Sequence, residues 1–172
     1  MNAFSHRAFN IYFFTNTFSL LGTWVQKVGL GWWAWQITES TFWTSLVALS
    51  IMAPAGILGP VFAVYAERWD MRRAMLLAKS IITLISILIF LFQIFEMHSL
   101  QSLLLLSFAL GVLNAVHHPI RLVFISLIVP KSYLASAIGL NSVSWSMSRI
   151  VGPGIAGVTI ATFGLDLTFG VD

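Results

Sequence analysis

Five long apolar runs, parted by short polar breaks, constrain this chain more than any other feature. A helix that crosses a bilayer needs about 20 mostly apolar residues, and each run is long enough. The reading places helices at about 9–35, 43–65, 75–95, 103–129 and 134–163. The breaks are Thr38-Glu39-Ser40, Glu67-Arg68-Trp69-Asp70, Glu96-Met97-His98-Ser99 and Pro130-Lys131-Ser132. The runs are too long for barrel strands and do not alternate, which argues against a transmembrane barrel. The expected fold class is an all-α membrane protein. Composition agrees: 58% of the residues are hydrophobic and 9% charged, whereas soluble domains carry about 25% charged residues. A soluble core could not hide this much apolar surface, so the first expected partner is the lipid bilayer. The formal charge of +3 is spread along the chain with no basic stripe, so nucleic acid is not an expected partner. The absence of cysteine excludes disulfides and thiolate metal sites. The apolar run after Met1–Asn10 is too long for a cleaved signal and has no small-residue cleavage site.

Loop cations set the expected orientation. Arg7, Arg68, Arg72, Arg73, Lys79 and Lys131 fall on one side, against only Glu39, Glu96 and Asp166 on the other. Such asymmetry places the N-terminus in the cytoplasm. Trp32, Trp33, Trp35 and Trp43 then form an outer aromatic belt, and Tyr65, Trp69 and Tyr133 mark the inner interface. From Phe169 the text reads as the beginning of a sixth helix, and the chain is expected to be a fragment.

Three cations remain inside the spans: Lys27, Arg121 and Arg149. Each costs roughly 3 kcal/mol or more at the bilayer centre, so each is expected to face protein or a water-filled cavity. Arg149 lies roughly 22 Å along helix 5, near mid-membrane. No Asp or Glu falls in the spans. Helix 4 adds a stripe at i, i+3, i+4 and i+7: Asn114, His117, His118 and Arg121, with Pro119 beside it. Histidine side chains can titrate near neutral pH, so the pair could shuttle protons; the alternative is a hydrogen-bonded stripe that fixes helix packing. No further ligand cluster accompanies them, so no metal and no cofactor is expected. Asn141, Trp145 and Arg149 step by four along helix 5. Small-residue stripes follow, Ser148-Gly152-Ala156 in helix 5 and Ala55-Gly59-Ala63 in helix 2, and both read as close-packing faces.

These features together resemble the major facilitator superfamily of secondary transporters, along nearly the whole chain. Gly22-Thr23-Trp24-Val25-Gln26-Lys27 resembles the first helix of enterobactin-exporter-like proteins. Ala63 through Arg73 resembles the superfamily's cytoplasmic signature, Gly-x-x-x-Asp-Arg-x-Gly-Arg-Arg, with Asp70 where the second Gly stands. Pro119-Ile120-Arg121 and Val129-Pro130 resemble the end of helix 4 in that branch. Gly139, Ser148, Gly152, Pro153, Ala156 and Gly157 fall at the spacing of the antiporter signature of helix 5, with Ser148 and Ala156 in place of Gly. The sequence departs from the loop signature at Ala63, Glu67 and Met71, and Ser126-Leu127-Ile128 lacks the acid often found at the end of helix 4.

The resemblance implies the N-terminal half of a 12-helix bundle, five helices and the start of a sixth. It implies a conformational-switch loop at Ala63, Glu67, Arg68, Asp70, Arg72 and Arg73. The function it implies is export of a small molecule (drug, siderophore or metabolite) across a bacterial inner membrane, driven by protons. Lys27, Asn114, His117, His118, Arg121, Asn141, Trp145 and Arg149 are the candidate cavity residues. Buried cations without buried acids lean towards anionic or catechol-like cargo. The competing class is a polytopic membrane protein that does not transport, a sensor or an assembly factor. An enzyme is not expected, because the short loops carry no nucleophile–base cluster.

Overall fold

A computed structural model describes residues 7–66, 69–95 and 99–163. Five long helices account for almost all of them: α1 (Arg7–Thr38), α2 (Thr41–Ala66), α3 (Met71–Ile94), α4 (Leu100–Ile128) and α5 (Leu134–Phe163). A single 3-10 turn at Lys131–Tyr133 leads into α5. No strand occurs among the described residues. By length and apolarity three helices qualify to cross a membrane: Thr41–Tyr65, Met71–Ile94 and Leu100–Ile128. Apolarity alone therefore marks three spans, not the five expected. The other two helices are long enough at 32 and 30 residues, but polar side chains dilute them. In α1 these include Asn16, Thr17, Gln26 and Lys27, and in α5 Asn141, Ser144, Ser148 and Arg149.

The ends of the helices have local causes. At Thr38 the chain leaves α1 through Glu39, whose φ of 48° is left-handed. Its amide still donates to the Trp35 carbonyl at 2.7 Å, closing the last turn. Asp70 starts α3: its Oδ1 accepts from the amides of Arg72 and Arg73 at 3.1 and 3.3 Å. Those amides have no partner inside the helix, and a short acidic side chain at this position satisfies them. Lys79 consequently sits well inside α3, not in a loop as the charge count had it.

Helix α4 is the hub of the arrangement and touches the other four. Its longest seam is with α2, and α1 pairs mainly with α5. Gly111 permits the α2–α4 approach: a Cβ there would lie 2.6 Å from the Ser50 carbonyl oxygen and 2.8 Å from that of Ile51. Pro54, four residues on from Ser50 in α2, has no N–H to offer that carbonyl. The α1–α5 seam is equally tight, since a Cβ on Gly152 would collide with Trp24 Cβ. Ser148 and Ala156, fully buried, flank that glycine one turn away on either side, so this small-residue stripe packs as its spacing suggests. The α2 stripe behaves otherwise, because nothing lies within 4 Å of a Cβ on Gly59.

Two apolar clusters close the ends of the bundle. At the Glu39 end, Leu30, Trp33, Val47, Ile51, Ile89, Leu103 and Leu110 join α1, α2, α3 and α4. Trp33 is 1% exposed there, so it belongs to the core and not to the expected aromatic belt, whereas Trp32 and Trp35 are exposed. At the opposite end Phe9, Tyr12, Ile125, Val129 and Ala137 join α1, α4 and α5. The outward faces of α2 and α3 leave Leu49, Ile57, Val64, Leu76, Leu77 and Leu84 exposed. In water such a surface would aggregate; in hydrocarbon it needs no cover.

Candidate functional site

Between the two apolar clusters lies a cavity of about 520 Å³. Helices α1, α2, α3 and α4 and Trp145 of α5 wall it. The volume falls in the range of small-molecule sites, about 300–1,000 Å³. The whole polar stripe of α4 reaches it: Asn114, His117, His118 and Arg121 all line the cavity. Asn114 donates to the Leu110 carbonyl at 2.8 Å, which holds its amide against its own helix. His117 is buried with Nε2 unpartnered, and Arg121 is 3% exposed with Nε unpartnered.

The indoles organise the charges. Lys27 Nζ stands 4.3 Å from the centroid of the Trp24 ring. The Arg121 guanidinium carbon stands 5.0 Å from that of Trp145. The two indoles meet edge-to-face at 5.9 Å, and the His118 ring meets Trp145 at the same distance. Each cation is thus held near a π-face, an attraction worth about 0.5–2 kcal/mol depending on desolvation. Gln26 donates to Ser86 Oγ at 2.9 Å, tying α1 to α3 beside the cavity. Lys79 of α3 lines the same cavity and donates to Ser19 Oγ of α1. Ala55, Gly59 and Ala63 of α2 supply a smooth opposite wall, so that stripe bounds space and does not seat a neighbouring helix.

Two expected cavity residues lie elsewhere. Asn141 is buried in the α1–α5 seam, where its Oδ1 accepts from Asn16 Nδ2 at 3.4 Å. Thr17 and Ser144 share a hydrogen bond of 2.7 Å in the same seam. Arg149 is exposed and does not line the cavity, although its charge reaches Lys27 electrostatically. The reason is angular. The face of α5 that meets α1 carries Asn141, Ser144, Ser148 and Gly152, and Arg149 is turned about 100° from Ser148. The antiporter-like motif divides in the same way. Ser148, Gly152 and Ala156 pack inward and Pro153 is half-buried, while Gly139 and Gly157 face open space.

In the switch loop, Glu67 and Arg68 lie outside the described residues. Asp70 caps α3 and pairs with Arg73 at 3.3 Å, with both side chains exposed. Arg72 is exposed beside them, and Ala63 sits on the cavity wall. Lys79 and Trp24 were missed as cavity residues. A lone lysine in the apolar run Leu76–Ile85, and a tryptophan three residues before Lys27, were the available signals. Among the described residues, no three His, Asp or Glu side chains gather as a metal ion would require.

Long apolar helices around a cation-lined cavity define a multi-pass membrane protein. The chain belongs to the transmembrane secretion effector family of the major facilitator superfamily, whose profile matches residues 1–172. It is 26% identical over 160 residues to the staphyloferrin A transporter of Staphylococcus aureus (strain NCTC 8325 / PS 47), a match covering 92% of this chain and 40% of that protein. It is 27% identical over 160 residues to the uncharacterised MFS-type transporter YfiS of Bacillus subtilis (strain 168), covering 90% of this chain and 36% of that protein. The chain thus spans about two fifths of the length of these curated relatives. No solved structure matches significantly.

Proposed function

We propose that this chain supplies the first five spanning helices, and the cavity between them, of a secondary active transporter that exports a small molecule across a bacterial inner membrane. The cavity lined by Lys27, His117, His118 and Arg121 is the observation that carries this reading. A helix that only packs has no use for an almost fully buried guanidinium whose Nε has no hydrogen-bond partner. Membership of a transporter family supports it further. The N-terminus is cytoplasmic in this reading, on the strength of the basic loops. Protons are the coupling ion, and the carboxylate that carries them lies in the part of the transporter beyond these helices, since the described cavity lining holds none.

The staphyloferrin A transporter supplies the first compound to assay. In everted vesicles bearing the full-length protein, inward transport corresponds to export. Uptake of staphyloferrin A is expected to follow an imposed proton gradient and to fall at least tenfold in Arg121→Gln. In His117→Asn uptake is expected to keep its dependence on the imposed gradient, because the histidine is not the coupling group. Uptake indifferent to the gradient would remove proton coupling from the reading, and uptake unchanged in Arg121→Gln would remove the cavity.

A further inference from the structure

The charges around this cavity are all of one sign. Lys27 comes from α1, Lys79 from α3 and Arg121 from α4. No Asp or Glu is among the described residues that line the space. Three cations on three helices, facing one volume from which water is partly excluded, repel one another and lose solvation. Indole faces offset part of that loss for Lys27 and Arg121, and the Ser19 hydroxyl part of it for Lys79. Neither indole is a counter-charge for Lys27 or Arg121, and a buried charge is stabilised well only when paired. Arg121 is the sharpest case, because it is nearly fully buried and lines the cavity with Nε unsatisfied. The Trp24–Trp145 pair, meeting edge-to-face, sets an apolar patch between the Lys27 and Arg121 charges.

We infer that the cavity is a site for a polyanion: a small organic molecule bearing two or more anionic oxygen groups on a flat or apolar body. The anionic groups bind Lys27, Lys79 and Arg121, and the body lies against the indole pair. The inference rests on the transport reading only in taking the cavity as the cargo site. Carboxylate and phosphate share the required chemistry, and Arg121 offers its planar fork to either.

The test is titration of the purified full-length transporter with probes of graded charge, read by calorimetry. The probes are benzoate, benzene-1,3-dicarboxylate, benzene-1,3,5-tricarboxylate, inorganic pyrophosphate and the cation tetraphenylphosphonium. Affinity is expected to rise about tenfold with each added carboxylate and to weaken as salt is raised. Lys27→Gln, Lys79→Gln and Arg121→Gln are each expected to erase one such step, with Lys27→Arg restoring it. Pyrophosphate binding more tightly than the tricarboxylate would assign the charge to phosphate groups, and the reverse order to carboxylates; either supports the site. Equal affinity across the carboxylate series, or preference for tetraphenylphosphonium, would overturn it. Vesicle transport separates the two readings. Charge-graded binding without transport of any probe or of staphyloferrin A keeps the site and removes the transporter. Gradient-driven transport with no graded binding keeps the transporter and removes the site.

Discussion

Asp70 shows how one residue can replace the usual logic of a position. A glycine often stands there in the loop signature that this stretch resembles, and aspartate puts a carboxylate where α3 begins. That carboxylate accepts from two free amides of the first helical turn, which makes it a helix cap first and a charge second. Its ion pair with Arg73 is exposed on both sides, and such pairs contribute about 0.2–1 kcal/mol. Asp70→Ala is therefore expected to lower stability by about 1 kcal/mol, and Asp70→Asn to keep most of it, because the amide oxygen still caps. Thermal unfolding of the detergent-solubilised protein checks both. An equal loss in the asparagine and alanine variants would show that the charge, not the cap, matters. The candidate site shows the same contrast between what a residue is and where it points. The i, i+3, i+4, i+7 spacing of Asn114, His117, His118 and Arg121 fixed their common face, so their convergence on the cavity was legible. Arg149 was not: its depth along α5 could be counted, but its rotation depends on which face α1 covers. Lys79 was hidden by the opposite error: it falls inside the expected span at 75–95, yet a cavity lysine was counted with the loop charges.

At the scale of the helix, packing is set by where backbone can approach backbone. Gly111 meets two α2 carbonyls closer than any side chain would permit. One of these, on Ser50, is left without its helical partner by Pro54. Gly111→Ala is expected to force α2 and α4 apart and to destabilise the protein by about 2 kcal/mol, as overpacking at rigid contacts does. The same unfolding measurement tests it; a variant as stable as wild type would mean that α2 yields freely. Glycine spacing suggested both seams but could not assign them. The Ser148-Gly152-Ala156 and Ala55-Gly59-Ala63 stripes have the same period, yet one seats a helix and the other bounds a cavity. Apolarity likewise identified α2, α3 and α4, while α1 and α5 were diluted by the polar residues they turn towards each other and the cavity.

For the molecule as a whole, the sequence lends itself to a direct measurement of orientation, because the 172 residues contain no cysteine. Single cysteines at Glu39 and Lys131, in a full-length protein otherwise free of accessible thiols, are expected to behave oppositely in intact cells. Glu39→Cys should react with a membrane-impermeant maleimide from outside, and Lys131→Cys only after permeabilisation. The reverse pattern would invert the topology drawn from the loop charges.

The pairing of α1 with α5 carries a consequence for how such a chain is made. Two side-chain hydrogen bonds among its described residues, Asn16–Asn141 and Thr17–Ser144, join residues 125 and 127 positions apart. α1 leaves the ribosome first, yet the partners of its Asn16 and Thr17 are synthesised last among the helices described here. Until α5 arrives, Asn16 and Thr17 must be sheltered by water, by the insertion machinery or by their own backbone, as Thr17 is by the Phe13 carbonyl at 2.7 Å. Assembly of this bundle thus depends on a nascent helix that waits, and the long interval is a point at which a chaperone or a misplaced lipid can compete for it.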